Sequence, residues 1–169
     1  GGLASHGGAM GILFAVWLFV RKQKLSYLEM LDKIVLIVPL AGSFVRVGNL
    51  MNSEIVGVPT DLPWGFVFTR LGVESLHPTQ LYEAIFYFIM FFVFYAIYNK
   101  FVKEWKNGTF LGWFLIVLFG FRFIIEYTKT EQVEFEGWTN AIKMGQLLSI
   151  PFIILGLYFI FKQFKSVKS

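Results

Sequence analysis

The stretch Ile34-Val-Leu-Ile-Val-Pro-Leu-Ala-Gly-Ser-Phe-Val45 runs directly into Arg46-Val-Gly-Asn-Leu-Met-Asn-Ser-Glu-Ile-Val-Gly57, and the junction between them decides the fold. The first half carries no charge, so it has to be buried. The second half releases an Arg, two Asn, a Glu and two Gly within twelve positions. A guanidinium at the end of an apolar helix needs an anionic partner, because leaving it unpaired in hydrocarbon costs at least ~2.5–3.5 kcal/mol. Its planar donor fork suits phosphate oxygens. Gly48 lets a backbone or headgroup approach closely, and Asn49 and Asn52 add neutral donors. A lone Arg in this setting also snorkels to the interface without binding anything. The Asn and Glu cluster behind Arg46 favours an anion site at a membrane surface.

Composition agrees with a membrane setting. Of 169 residues, 56% are hydrophobic and 20% aromatic, only 15% are charged, and mean hydropathy is +0.63. A soluble domain carries about 25% charged residues, so the expected class is an all-α polytopic membrane protein. The net charge of +4 reflects where basic residues sit along the chain and is no nucleic-acid signal. With no Cys and only His6 and His77, disulfides, thiolate zinc sites and a cysteine nucleophile of its own are excluded, and neither a metal nor a cofactor is expected. The opening Gly-Gly-Leu-Ala-Ser-His has no charged leader region, and the chain is expected to begin inside a larger protein.

Apolar runs approaching the ~20 residues that cross a bilayer predict five spans in one membrane domain, at about 3–20, 31–47, 81–98, 110–127 and 145–161, with Pro39 inside the second. The intervening segment 50–80 is long enough to fold. Its turn-rich Val58-Pro-Thr-Asp-Leu-Pro-Trp-Gly65 and the strand-like Gly65-Phe-Val-Phe-Thr69 predict a small cap with one or two short strands. Arg21, Lys22, Lys24 and Lys33, then Lys100, Lys103 and Lys106, then Lys162, Lys165 and Lys168 fall on one side of these spans. By the positive-inside rule that side is cytoplasmic. The C-terminus is then inside, and Arg46, His6, Glu54, Arg122 and the cap lie toward the outer face.

Other stretches carry candidate chemistry. His6 precedes Gly7-Gly8, which would let a ligand approach the imidazole, although a plain helix start explains it as well. In Phe121-Arg-Phe-Ile-Ile-Glu126 the i,i+4 spacing sets Arg122 and Glu126 on one helix face, as a structural ion pair or a functional one. His77-Pro-Thr-Gln-Leu-Tyr-Glu83 opens the third span, with Thr79 suited to cap it and Glu83 placed where the helix dipole favours an anion. Met144-Gly-Gln-Leu-Leu-Ser-Ile-Pro151 has a bland account as another helix start. The inventory suits chemistry on an anionic lipid headgroup.

Arg46-x-Gly48-Asn49-x-x-Asn52-x-Glu54-x-x-Gly57 resembles the signature of the prolipoprotein diacylglyceryl transferases. The His6-Gly-Gly, His77-Pro-Thr-Gln-Leu-Tyr-Glu, Arg122-x-x-x-Glu126 and Met144-Gly-Gln stretches are similar to that family in the same order, over residues 1 to about 151. Two departures are Val45 and Leu50, where the family usually has Gly and Phe. The family protein has seven spans, so the resemblance implies that these are its last five, its first two lying outside this chain.

The resemblance further implies transfer of the diacylglyceryl group of phosphatidylglycerol to the lipobox Cys of a prolipoprotein in the bacterial cytoplasmic membrane. A thioether forms and glycerol phosphate leaves. Arg46, with Asn49, Asn52, Glu54 and Gly57, would bind phosphatidylglycerol; His6, Arg122 and Glu126 would be catalytic. A thiol reacts as its thiolate, and a departing phosphate gains charge that Arg46 and Arg122 would stabilise. A transporter or flippase for an anionic substrate is the alternative, but it should show repeats or broken midplane helices, whereas no repeat is evident and the polar residues gather toward one face.

Overall fold

The computed structural model describes residues 5–129 and 143–167. Among them are the helices α1 (Ser5–Gln23), α2 (Tyr27–Met51), α3 (Thr79–Phe101), α4 (Thr109–Ile125) and α5 (Met144–Val167), with a 3-10 turn at Glu126–Thr128 after α4. Strands β1 (Phe66–Val67) and β2 (Ser75–Leu76) pair antiparallel in the segment between α2 and α3, Phe66 opposite Leu76. By length and composition α2, α3, α4 with its 3-10 turn, and α5 are long and apolar enough to cross a membrane. Five helices stand where five spans were expected, four of them long and apolar enough to cross a membrane, and the segment between α2 and α3 holds two short strands where one or two were expected.

The burial pattern is inverted relative to a soluble domain. Ile37, Phe44, Phe92, Ile154 and Phe161 are exposed, whereas Thr79, Gln80, Glu83 and Ser149 are wholly buried. Lipid solvates the first group, and the second must satisfy its polarity inside the bundle. The apolar core is a cluster of Val35 and Leu36 from α2, Met90 and Phe94 from α3, and Phe110, Phe114 and Leu115 from α4. Helices α2 and α3 form one close pair and α4 and α5 the other. Each pair is brought together by small residues. Gly42 sits against the Tyr87 ring, and Ser43 Oγ donates to the Ala84 carbonyl at 2.8 Å. Between α4 and α5, a Cβ on Gly156 would lie 2.7 Å from the Gly112 carbonyl oxygen, so only glycines permit that approach. Helix α1 packs on α2 and otherwise leaves Met10, Phe14, Leu18 and Phe19 exposed.

Helix ends explain where the boundaries depart from the apolar runs. Helix α2 starts at Tyr27, not near 31, because Ser26 caps it by accepting from Glu29 N, and Lys33 then pairs with Glu29 at 2.7 Å. It also continues past 47 to Met51, which puts Arg46 and Asn49 on the helix itself. Thr79 does not cap α3 as expected. Pro78 holds the cap position, and Thr79 Oγ1 donates to the Ile55 carbonyl instead (2.9 Å).

At the end of the bundle formed by the start of α2, Asp32 replaces a missing cap. Gly108 enters α4 at φ 96°, a left-handed conformation without a capping side chain. The buried Asp32 carboxylate reaches across from α2 to accept from Gly108 N at 2.6 Å and Leu111 N at 2.8 Å. An acceptor on a neighbouring helix thus satisfies amides that α4 leaves unpaired. Asp32→Ala is expected to cost about 1–3 kcal/mol, seen as a lower melting temperature in detergent. Asp32→Glu, whose longer arm cannot sit in the same place, should recover little of it.

Candidate active site

The C-terminal ends of α2 and α4 and the N-terminal ends of α3 and α5 meet at the other end of the bundle, and the polar residues collect there. Glu83, one turn into α3 and fully buried, is the centre. Arg46 Nε lies 3.0 Å from its Oε2, an ion pair without hydrogen-bond alignment. Lys129 Nζ donates to its Oε1, also at 3.0 Å. Lys129 stands 3.8 Å from Glu126 as well, and its carbonyl accepts from Lys143 Nζ at 2.6 Å. Burial pushes the Lys129 ammonium below its usual pKa, and the Glu83 carboxylate opposes that shift.

The signature stretch folds in two parts. Arg46 and Asn49 lie one turn apart on α2, and Arg46 Nη1 donates to Asn49 Oδ1 at 3.3 Å. Asn49 Nδ2 in turn donates to Glu54 Oε2 at 2.8 Å. Residues beyond Met51 form a strained turn, with Ser53 and Ile55 both at φ 57°. A β-branched residue there is a true outlier, and such strain persists only when neighbours over-determine it. The neighbours are Thr79, which holds the Ile55 carbonyl, and Gln80 Nε2, which donates to the Glu54 carbonyl. The turn directs Glu54 back onto Asn49. Asn52 caps α2 through its backbone and leaves its side chain exposed.

Gly57 has a backbone role. Its N–H donates to the His77 carbonyl at 2.9 Å, Val58 N donates to the Thr128 carbonyl at 2.9 Å, and Gly57 bridges antiparallel to Lys129. A Cβ on Gly57 would fall 2.6 Å from Thr128 O and 2.7 Å from His77 O. The glycine is therefore what lets the signature strand thread between the start of α3 and the end of α4. Gly145 does the same for a side chain, since a Cβ there would strike the Glu126 carboxylate. Tyr82 links the cap to α3, its hydroxyl accepting from Trp64 Nε1 at 3.0 Å and contacting His77 Nδ1 at 3.2 Å.

Of the residues singled out in the sequence, Arg46, Asn49, Glu54, Gly57 and Glu126 converge here. Arg122 and Glu126 share the end of α4, but they form no ion pair with each other. The expected i,i+4 contact is replaced because Glu126 is drawn to Lys129. Arg122 is half-buried, has no ion pair among the described residues, and lies within electrostatic range of Tyr87, whose hydroxyl also neighbours Arg46. His6 sits in the first turn of α1, and its side chain lies outside the described residues. Among the described residues no three His, Asp or Glu side chains converge as a metal site. Sequence reading missed Lys129, quoted Gln80 and Gln146 only within family-like stretches, although Gln146 Nε2 donates to the Phe123 carbonyl at 3.2 Å, and gave Glu83 only a helix-dipole role. The available signal was a carboxylate stranded in the apolar run after His77, which requires a cation.

Residues 1–162 match the family model of prolipoprotein diacylglyceryl transferase. The chain belongs to this family. It is 48% identical over 160 residues to the phosphatidylglycerol–prolipoprotein diacylglyceryl transferase of Bacteroides fragilis, covering 95% of this chain and 57% of that protein. The proteins of the same name from Tolumonas auensis and Chloroherpeton thalassium are 46% and 42% identical, over 93% and 99% of this chain and 60% and 63% of theirs. The chain thus spans about three-fifths of the length of these relatives. For this diacylglyceryl transferase family member, the geometry accounts for two spacings within its signature stretch. Glu54 follows Asn49 by five because the strained turn doubles the chain back, and Gly57 follows by three more because the strand then enters a gap too narrow for a side chain.

Gly57→Ala should separate the α3 and α4 ends, lowering the melting temperature by an amount equivalent to about 1–3 kcal/mol of overpacking. Gly145→Ala should instead leave stability nearly unchanged and only displace the flexible Glu126 carboxylate, so that comparing the two melts checks which glycine faces backbone.

Proposed function

We propose that this chain carries the phosphate-binding part of a phosphatidylglycerol–prolipoprotein diacylglyceryl transferase. In this reading the lipobox thiol of a prolipoprotein signal peptide loses its proton to a base. The thiolate then attacks the phosphate-bearing carbon of the diacylated glycerol of phosphatidylglycerol. The C–S bond forms as the C–O bond breaks, and the electron pair leaves on the phosphate oxygen of glycerol phosphate. The observation that carries the reading is a half-buried guanidinium, Arg46, fixed at the polar end of a lipid-exposed bundle, in a chain whose relatives bear that name.

Arg46 and Arg122 are the guanidinium groups carried by the helix ends that meet here, and together they would take the charge that develops on the leaving phosphate. Asn49 and Glu54 hold Arg46 in place, Asn52 offers an exposed amide, and Gly57 keeps the turn closed. Glu126 would act through Lys129, and His6 is assigned as the thiol's base from its family motif. The bacterial cytoplasmic membrane is the proposed location, with α1 as a fifth span beside the four apolar helices, the site toward the outer face and the C-terminus inside. The basic residues at the opposite end of the bundle support that orientation. The relatives give no support to the transporter alternative.

Full-length protein incubated with labelled phosphatidylglycerol and a lipobox peptide tests the assignment. Arg46→Ala should abolish transfer, and Arg46→Lys should rescue little, because an ammonium lacks the bidentate fork; near-normal activity in the Lys variant would remove Arg46 from the phosphate. Arg122→Leu should fold normally, having no ion pair to lose among the described residues, yet lose roughly 10²–10³-fold in rate, the usual effect of deleting one such donor. For His6→Gln the rate loss should be largest near neutral pH and shrink as pH approaches the thiol's own pKa. A loss independent of pH would make His6 a positioning group.

A further inference from the structure

Glu83 is a competitor for Arg46 as well as its support. A buried carboxylate beside a guanidinium ordinarily forms a bidentate pair, with two parallel N–H···O contacts that consume both charge and donors. Here the contact is one-point. Oε2 meets Arg46 at Nε, while Oε1 is taken by Lys129 at 3.0 Å. Lys129 is itself fixed. It is 4% exposed, its backbone pairs with Gly57, and Glu126 flanks its ammonium at 3.8 Å. The charges of this cluster balance, with Arg46 and Lys129 against Glu83 and Glu126. Without Lys129 the balance is one negative charge, in a place where screening by water is weak.

We propose that Lys129 is a positioning residue for the anion site. By occupying Oε1 of Glu83, it limits that carboxylate to one point of contact with Arg46 and keeps the guanidinium available to the phosphate of an anionic lipid. The inference rests on the functional reading in which Arg46 binds phosphatidylglycerol phosphate. It adds a residue that touches no substrate and acts through a carboxylate on α3, the helix that precedes α4 in the chain. Lys143 extends the arrangement, since its ammonium holds the Lys129 carbonyl and so fixes the backbone from which the Lys129 side chain projects.

The consequence is a counter-intuitive order of variants. In full-length protein in mixed micelles, with lipobox peptide saturating and phosphatidylglycerol varied, Lys129→Met should raise the KM for the lipid roughly ten- to a hundredfold, the equivalent of one charge-assisted hydrogen bond. Its kcat should change less. Lys129→Arg should restore most of the affinity. Lys129→Met combined with Glu83→Gln should also restore it, because the amide that replaces the carboxylate no longer competes by charge. If Lys129→Met alone fails to fold, the double variant, which buries no unbalanced carboxylate at position 83, still carries the test. A KM that is unchanged in Lys129→Met, or a double variant that binds no better than the single, would overturn the inference while leaving the transferase reading intact. Wild-type protein that transfers nothing from phosphatidylglycerol would instead overturn the reading beneath both.

Discussion

The rest of this end of the molecule depends on one buried carboxylate. Glu83 has no solvent access and sits between Arg46 on α2 and Lys129 just beyond α4. Desolvating three charges is costly, and their mutual attraction offsets that cost only if the geometry is good and few partners are missing. The same condition makes the arrangement specific. Removing any one partner leaves a charge in a low-dielectric interior, so the ends of α2, α3 and α4 are tied into one relative position. Apolar packing between these helices could not do this, because in lipid a sliding apolar surface loses little.

The signature turn is built on that tie. Ser53 and Ile55 hold left-handed backbone conformations that neither favours, and two buried side chains at the start of α3 clamp the carbonyls of Glu54 and Ile55. Glu83, one turn on, ties the same end of α3 to Arg46 and Lys129. Gly57 then completes the closure by admitting the strand between two carbonyl oxygens. The outcome is a guanidinium whose position is set by Glu83 and by Asn49. Preorganisation of that kind is what charge stabilisation in a transition state requires.

The two ends of the bundle use one device for different purposes. At one end Asp32 supplies charge to the bare amides of α4, and every group it meets is satisfied. At the other, Glu83 supplies charge to Arg46, and the site keeps unsatisfied capacity. Arg122 has no ion pair among the described residues, and Asn52 is exposed. Saturation marks the structural end, and the spare donors lie at the end proposed to hold the ligand.

Sequence alone determined the solvent, the helical class, the position of the cap and the guanidinium at the helix end. Hydrophobic runs and charge spacing are local properties, and lipid rewards them without reference to tertiary contacts. It also placed Arg46, Asn49, Glu54 and Gly57 in one motif. Only the tertiary structure decided who pairs with whom. Arg122 and Glu126 have ideal spacing, yet Glu126 goes to Lys129, because the 3-10 turn after α4 brings that ammonium round while the strand bridge to Gly57 anchors it. Thr79 has the composition of a cap and serves instead as a clamp on the Ile55 carbonyl. Lys129 and Glu83 are forty-six positions apart, and no periodicity joins residues so distant. Their pairing follows from the folding of α3 against the end of α4, where a carboxylate without water has to find a cation.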